Sequence, residues 1–113
     1  MTCESLIQYF AKQPYVQDTI FSYPGNEDCF IGSTNQVFYD SNLQPTSNGE
    51  TRYWAGCGCD IQNGIEYSTA QALFDAQIYG GRSIRDHWDE ITWLEIDGWM
   101  TPEQFDARFR DNA

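Results

Sequence analysis

Basic side chains are scarce in this sequence. It has six lysine and arginine residues, among which Lys12 is the single lysine, against seventeen aspartates and glutamates. The formal net charge is therefore -11 on 113 residues. Binding to a phosphate backbone relies on lysine and arginine, so this composition argues against direct binding of nucleic acid. The same charge favours association with a basic protein surface, including one that normally holds nucleic acid.

The sequence also lacks long apolar runs. No stretch approaches the roughly 18 apolar residues of a membrane-spanning helix. The N-terminal segment MTCESLIQYFAKQ lacks the basic and apolar regions of a secretory signal peptide. We therefore expect a cytoplasmic protein that does not act at a membrane. In that compartment the four cysteines are expected to be reduced thiols, namely Cys3, Cys29, Cys57 and Cys59.

Aromatic side chains, by contrast, are plentiful. They make up 16% of the sequence, and hydrophobic residues together make up 41%, whereas a disordered acidic tail would be poor in aromatics. A chain of 113 residues with this composition is expected to fold as one domain over residues 1–113. We find no internal repeat and no linker that would divide it.

The order of local patterns predicts an α+β fold, with an antiparallel sheet of about four strands and two to four helices packed on it. Strands are expected at residues 29–32, 37–39, 51–57 and 91–96, where β-prone residues concentrate. The polar residues 33–36 are expected to form a turn between the first two strands.

The helices are predicted from their caps. Thr2 precedes an apolar stripe that ends before Pro14, and the serine and threonine at 68–69 precede a helix that continues to residue 78. The glycine pair at 80–81 is expected to stop this helix. Ser83 is expected to cap a short helical turn.

The last helix has the clearest sequence signature. Thr101 is a capping residue, Pro102 suits the first helical position and Gln104 suits the third. Phe105 and Phe109 follow with a spacing of four residues, which places them on one side of the helix. We expect both phenylalanines to dock the helix onto the core.

Cys57 and Cys59 flank one glycine and form the sharpest local motif. Two thiols at this spacing could supply half of a zinc site that Cys3, Cys29 or His87 would complete. A structural zinc site usually has wider spacing and a second pair of ligands. We therefore expect no metal and no cofactor, and we keep Cys57 and Cys59 as the candidate ligands. The simpler interpretation is two small, partly buried residues at the end of a strand.

His87 is the single histidine of the sequence, and carboxylates lie on both sides of it. Such a residue could act as a general base, or it could activate a cysteine nucleophile. The sequence locates neither the nucleophile nor an oxyanion donor, so a surface histidine is the simpler interpretation. A small enzyme that uses His87 with a cysteine and a carboxylate is the alternative function.

Carboxylates and tryptophans are interleaved between residues 86 and 97. The spacing of an EF-hand calcium loop is missing. Helical spacing would place Asp86 on one side with Asp89 or Glu90. Strand alternation would point Trp93, Glu95 and Asp97 to one side. We predict a partner-binding face formed by Asp86, Asp89, Glu90, Trp93, Glu95 and Asp97. The alternative is a solvated acidic face whose tryptophans belong to the core.

The leading hypothesis is an acidic, non-enzymatic inhibitor whose carboxylates take the place of phosphates on a basic partner surface. In size and charge the chain resembles the small acidic proteins of mobile genetic elements that imitate DNA, such as anti-CRISPR and anti-restriction proteins. This resemblance implies a nuclease or a CRISPR effector as the partner. It concerns composition alone, so no functional residue can be assigned from it. An immunity or antitoxin-type protein would bind a basic toxin through the same attraction between carboxylates and a basic surface.

Overall fold

Five antiparallel strands form one sheet in the described part of the chain. The computed structural model describes residues 1–36, 40–44, 50–57 and 65–111. The strands are β1 (Val16–Tyr23), β2 (Asn26–Gln36), β3 (Glu50–Cys57), β4 (Ile65–Tyr67) and β5 (Thr92–Glu95). Their order across the sheet is β4-β3-β2-β1-β5, so β4 and β5 are its edges. The predicted α+β fold is confirmed, with one strand more than expected.

The helices begin at the caps that the sequence indicated. They are α1 (Cys3–Lys12), α2 (Ala70–Asp75), α3 (Ile84–His87) and α4 (Pro102–Asp111), with a 3₁₀ turn at Trp88–Glu90 after α3. The side chains of Thr2, Thr69 and Ser83 each accept a hydrogen bond from a backbone N–H of the first helical turn. Gln104 N–H donates to Thr101 Oγ1 at 3.1 Å, and Thr101 N–H donates to Gln104 Oε1 at 2.9 Å. This reciprocal pair fixes the start of α4.

The turn predicted at residues 33–36 is wrong, because these residues continue β2. Ser33 lies opposite Tyr53, and the pairing with β3 runs without a break to Gln36 opposite Glu50. Cross-strand pairing outweighs the local turn preference of the polar residues. The strand predicted at 37–39 lies outside the described residues. The eight-residue strand β1 and the three-residue strand β4 were not predicted.

The glycine pair at 80–81 makes a hairpin turn and does not stop a helix. Helix α2 already ends at Asp75, earlier than the predicted residue 78. Gly80 and Gly81 have φ angles of 66° and 83°, and Tyr79 and Arg82 on either side exchange backbone hydrogen bonds of 3.0 and 3.3 Å. Two successive positive φ angles are the requirement of this tight turn, and glycine meets it without strain.

The helices pack on one face of the sheet and enclose the described core. Phe10 from α1 meets Phe74 from α2 edge to face, with ring centroids 5.4 Å apart. Phe105 from α4 is 1% exposed and its ring lies 5.4 Å from that of Tyr9. The predicted docking of the last helix is thus confirmed for Phe105, whereas the side chain of Phe109 lies outside the described residues. None of the described helices has the length and apolar character needed to cross a membrane.

The two faces of the sheet differ in burial. On the helix side Phe21, Ile31 and other inward residues are fully buried. Alternate residues point to the opposite face, which we call the outer face, and there Ile20 and Trp54 are half-buried. The outer face is therefore the part of the sheet that presents apolar side chains toward solvent.

Candidate functional site

Three carboxylates of the predicted site lie on consecutive helical turns. Asp86 belongs to α3, and Asp89 and Glu90 belong to the 3₁₀ turn that follows it. All three residues are exposed. We call this group, Asp86, Asp89 and Glu90, the acidic turn. The helical spacing expected from the sequence is present here, since the chain stays helical from Ile84 to Glu90.

Asp86 also has a local structural role. Its Oδ2 accepts a hydrogen bond from the backbone of Ser83 at 3.0 Å, and Ser83 Oγ accepts one from the backbone of Asp86 at 3.1 Å. The hydrogen bonds from Ser83 lower the pKa of Asp86. Asp86 therefore stays ionised at neutral pH, and it caps α3 as well as contributing charge to the acidic turn.

His87 is buried, which corrects the expectation of a surface histidine. Its Nε2 lies 2.9 Å from the carbonyl oxygen of Tyr79, and its Nδ1 lies 2.8 Å from Oε2 of Glu90. The ring also packs against Tyr23, with centroids 4.6 Å apart. Each ring nitrogen therefore faces an acceptor of the protein itself, a carboxylate oxygen for Nδ1 and a carbonyl oxygen for Nε2. With both nitrogens engaged inside the protein, His87 holds the acidic turn against the sheet.

The arginines near the acidic turn bind neighbouring groups of the protein. Arg82 donates to the carbonyl oxygen of Asp86 at 2.8 Å and lies 3.5 Å from the carboxylate of Glu90. The hydrogen bond to His87 lowers the pKa of Glu90, and the charge of Arg82 lowers it further. Asp89 keeps an exposed carboxylate on the same turn. The acidic turn thus retains net negative charge although one arginine lies beside it.

Arg85 joins α3 to two other helices. Its guanidinium pairs with Glu4 of α1 and, at 2.8 Å, with Asp75 of α2. The hydrogen bond from Arg85 lowers the pKa of Asp75. Arg85 is therefore a structural cation that connects α1, α2 and α3.

A bulge in β5 separates Trp93 from Glu95. Trp93 lies opposite Phe21 and Glu95 lies opposite Ile20, so one extra residue, Leu94, sits between two directly adjacent pairs. Trp93 consequently points to the helix side, whereas Glu95 points to the outer face. The predicted alternation, which put Trp93 and Glu95 on one side, is wrong because a bulge breaks the two-residue period.

Trp93 belongs to the core side of the sheet. Its ring packs 5.0 Å from Phe21 and 5.4 Å from Trp88, measured between centroids. Its Nε1 is buried and has no hydrogen-bond partner among the described residues. These contacts favour the core interpretation of this tryptophan over that of a partner anchor.

Asp97 is bound within the protein through both carboxylate oxygens. Oδ2 accepts from the hydroxyl of Tyr9 at 2.6 Å, and Oδ1 accepts from the backbone N–H of Gln17 at 2.7 Å. Burial, and then the hydrogen bond to Asp97, raise the pKa of Tyr9 far above its usual range. Asp97 also has a φ of 56°, and its own N–H donates to Thr19 Oγ1 at 3.0 Å. These contacts tie α1, β1 and the turn after β5 together.

The outer face contains an open depression of about 490 Å³. It begins beside β5 and extends across β1 to β2 and β3. Its lining includes Tyr15, Asp18, Ile20, Thr34, Trp54 and Glu95. Of the residues predicted for the site, Glu95 alone lies in this lining.

Trp54, which lines this depression, is held in a fixed position. A Cβ built on Gly32, which lies directly opposite Trp54 in the sheet, would come within 2.3 Å of the indole. The indole therefore occupies the space that a side chain at position 32 would fill. Its Nε1 donates to Thr34 Oγ1 at 3.2 Å, and Phe30 packs against it edge on with centroids 5.9 Å apart. The sequence predicts that Trp54 lies in a strand, but it does not predict the depression that this residue lines.

A smaller depression of about 270 Å³ adjoins the first. Tyr15 and Gln17 line both, and Asp97 and Trp99 line the smaller one. Tyr15 and Trp99 are 54% and 53% exposed, and the guanidinium of Arg108 lies 5.0 Å from the ring centroid of Trp99. The two depressions form one continuous surface with aromatic and acidic side chains.

The two candidate metal ligands, Cys57 and Cys59, lie partly outside the described residues. The backbone of Cys57 ends β3 opposite Cys29, but the side chain of Cys57 and all of Cys59 are not described. Within the described ranges, no group of three or more histidine, cysteine, aspartate or glutamate residues could hold a metal ion. The expectation of no metal site, with Cys57 and Cys59 as the candidate ligands, is therefore not tested and stays a prediction.

Comparisons of this chain with protein-family models, with curated proteins and with solved structures found no match. The functional argument therefore depends on the residues and their geometry.

Proposed function

We propose that the protein is an acidic, non-enzymatic inhibitor that occupies a basic, nucleic-acid-binding surface of a partner protein. The observation that carries this proposal is the acidic turn, where Asp86, Asp89 and Glu90 are all exposed on consecutive helical turns. Hydrogen bonds lower the pKa of Asp86 and of Glu90, so both carboxylates keep their charge well below neutral pH. A fixed row of charges of one sign is what a basic groove recognises in a phosphate backbone.

The distribution of charge supports the same proposal. Arg82 and Arg85 pair with carboxylates of the protein itself. The formal net charge of -11 gives the protein an acidic electrostatic field. Such a field speeds the encounter with a basic partner and weakens as salt is added.

The partner class in this proposal is a nuclease, a CRISPR effector or another protein with a basic nucleic-acid site, and the compartment is the cytoplasm. An immunity or antitoxin-type role against a basic toxin would use the same acidic turn. The enzyme hypothesis has less support, since His87 is buried and both ring nitrogens already contact acceptors of the protein. A general base needs a nitrogen that can reach the proton of a substrate.

The test is a competition experiment. The protein, immobilised through its N-terminus, captures binders from a lysate of its host, and each captured protein is purified and bound to a fluorescent DNA or RNA duplex. We expect the protein to displace the duplex from its partner with increasing effect as its concentration rises. A partner that holds both the duplex and this protein at the same time would contradict the proposal, because the acidic turn would then occupy a different surface.

A further inference from the structure

We propose that the larger depression on the outer face is a binding pocket for an arginine side chain of the partner. This inference rests on the proposed function, since the basic surface of the partner supplies the arginine. The pocket is lined by Trp54, Asp18 and Glu95, and also by Tyr15 and Thr34. It is a surface separate from the acidic turn, because β5 presents Glu95 on the face of the sheet opposite to Trp93.

The pocket has a rigid aromatic wall. Trp54 packs in the space above Gly32, and the hydrogen bond from its Nε1 to Thr34 fixes the rotation of the indole. Phe30 supports the same ring from one side. A ring that is already ordered loses little conformational entropy when a ligand packs on it. Trp54 is therefore prepared to stack with a planar group.

The charges of the pocket are complementary to a cation. Asp18 lies in the bulged part of β1, and Glu95 lies opposite Ile20 on the neighbouring strand, so two carboxylates line one depression. None of the described residues that line it carries a positive charge. Arg52 precedes Trp54 by two residues on the same face of β3, and it already has an interaction within the protein. A cation from a partner would neutralise the two carboxylates.

The combination of groups favours arginine over lysine. A guanidinium is planar, stacks on the face of a tryptophan and pairs with a carboxylate through two parallel hydrogen bonds. An ammonium group can use the carboxylates but does not stack in the same way. The volume of about 490 Å³ falls within the range of roughly 300–1,000 Å³ typical of ligand pockets, so a long side chain fits it. Arginine is also among the residues that most often anchor protein interfaces.

The experiment uses capped tripeptides as probes. The ¹⁵N-labelled protein is titrated with acetyl-Gly-Arg-Gly-amide, and the indole N–H signal of Trp54, assigned with the variant Trp54→Phe, is followed by NMR. We expect this signal to shift on saturation with the arginine peptide. The matched lysine peptide should bind roughly fivefold more weakly, and Glu95→Gln and Asp18→Asn should each weaken arginine binding by a similar factor. Glu103→Gln removes an exposed carboxylate outside the pocket and should leave the affinity unchanged.

Two results would overturn the pocket. One is equal affinity for the arginine and lysine peptides, which would indicate a general attraction of cations. The other is an unchanged affinity in Glu95→Gln and Asp18→Asn while circular dichroism shows both variants folded. Neither result would change the outcome of the duplex competition, which tests the acidic turn. A failure of the pocket proposal can therefore be distinguished from a failure of the proposed function.

Discussion

The hydroxyl of Tyr9 donates a hydrogen bond of 2.6 Å to Asp97, and the two residues are 88 positions apart in the sequence. The second oxygen of the same carboxylate accepts from the backbone of Gln17. One aspartate therefore connects the first helix, the first strand and the turn that follows the last strand. Asp97, which the sequence predicts to be part of the partner-binding face, therefore has a structural role.

Removing the Tyr9 hydroxyl should destabilise the protein. We expect Tyr9→Phe to lower the free energy of unfolding by about 1–2 kcal/mol, because a hydrogen bond to a charged acceptor is lost at a half-buried site. Asp97→Ala should cost more, since it also leaves the N–H of Gln17 without its acceptor and places alanine at a positive φ. Urea unfolding measures both changes. Tyr15→Phe, at an exposed tyrosine, is the matched control and should change little.

Truncating Phe105 should be far more costly. Phe105 is 1% exposed and packs against Tyr9, so Phe105→Ala leaves a cavity between α4 and α1. The typical loss for a buried phenylalanine is about 3–5 kcal/mol, a large share of the roughly 5–15 kcal/mol that stabilises a domain. The variant should therefore show a much lower thermal midpoint. A midpoint equal to that of the parent would mean that α4 does not depend on this contact.

Much of the fold could be predicted because its signals are local. The caps at Thr2, Ser83 and Thr101 depend on a few neighbouring residues, and all three helices begin where expected. The predicted strand at 51–57 and the strand at 91–96 are also present, as β3 and β5, because apolar and β-prone residues mark them.

The parts that could not be predicted depend on contacts between distant segments. The burial of His87 requires the carbonyl of Tyr79 and the ring of Tyr23, which only the folded chain brings together. The bulge at Leu94 arises from pairing with β1, and its consequence is that Glu95 faces outward. The sequence does contain one indication of the depression on the outer face. Once β2 and β3 are paired, Gly32 lies opposite Trp54, and a glycine opposite a tryptophan leaves room for the indole to lie across the sheet.

The contact between Gly32 and Trp54 predicts a coupled effect. Gly32→Ala would place a methyl group within 2.3 Å of the indole, so the ring must move and its hydrogen bond to Thr34 must break. We expect a loss of about 1–3 kcal/mol in the free energy of unfolding, as for other overpacked sites. In a Trp54→Leu background the same substitution should cost much less, and the double-mutant cycle measures this coupling. An equal loss of unfolding free energy in both backgrounds would show that the methyl group clashes with a group other than the indole of Trp54.

Because of the ion pair between Asp75 and Arg85, we expect the stability of the protein to depend on pH in the acidic range. Arg85 lowers the pKa of Asp75 in the folded state, so the charged carboxylate is preferred in the native protein. The resulting stabilisation is present above the pKa of the unfolded chain, about 4, and is lost as the pH falls through the lower folded value. The difference in unfolding midpoint between the parent and Asp75→Asn should therefore shrink on acidification. In an Arg85→Ala background Asp75→Asn should have a smaller effect, with a weaker dependence on pH.

Charge reversal on the acidic turn tests how a basic partner would be bound. Asp89 is the suitable position, because Asp86 caps α3 and Glu90 contacts His87, so reversing either would also disturb the fold. We expect Asp89→Lys to weaken binding of the captured partner roughly tenfold, mainly through slower association, as expected for charges that steer an encounter. The binding rate of the parent should fall steeply as salt rises, and that of the variant should fall less. Glu103→Lys changes the net charge by the same amount on α4, away from the acidic turn. If both reversals reduce the association rate equally while circular dichroism shows them folded, the overall charge attracts the partner and the acidic turn is not the contact.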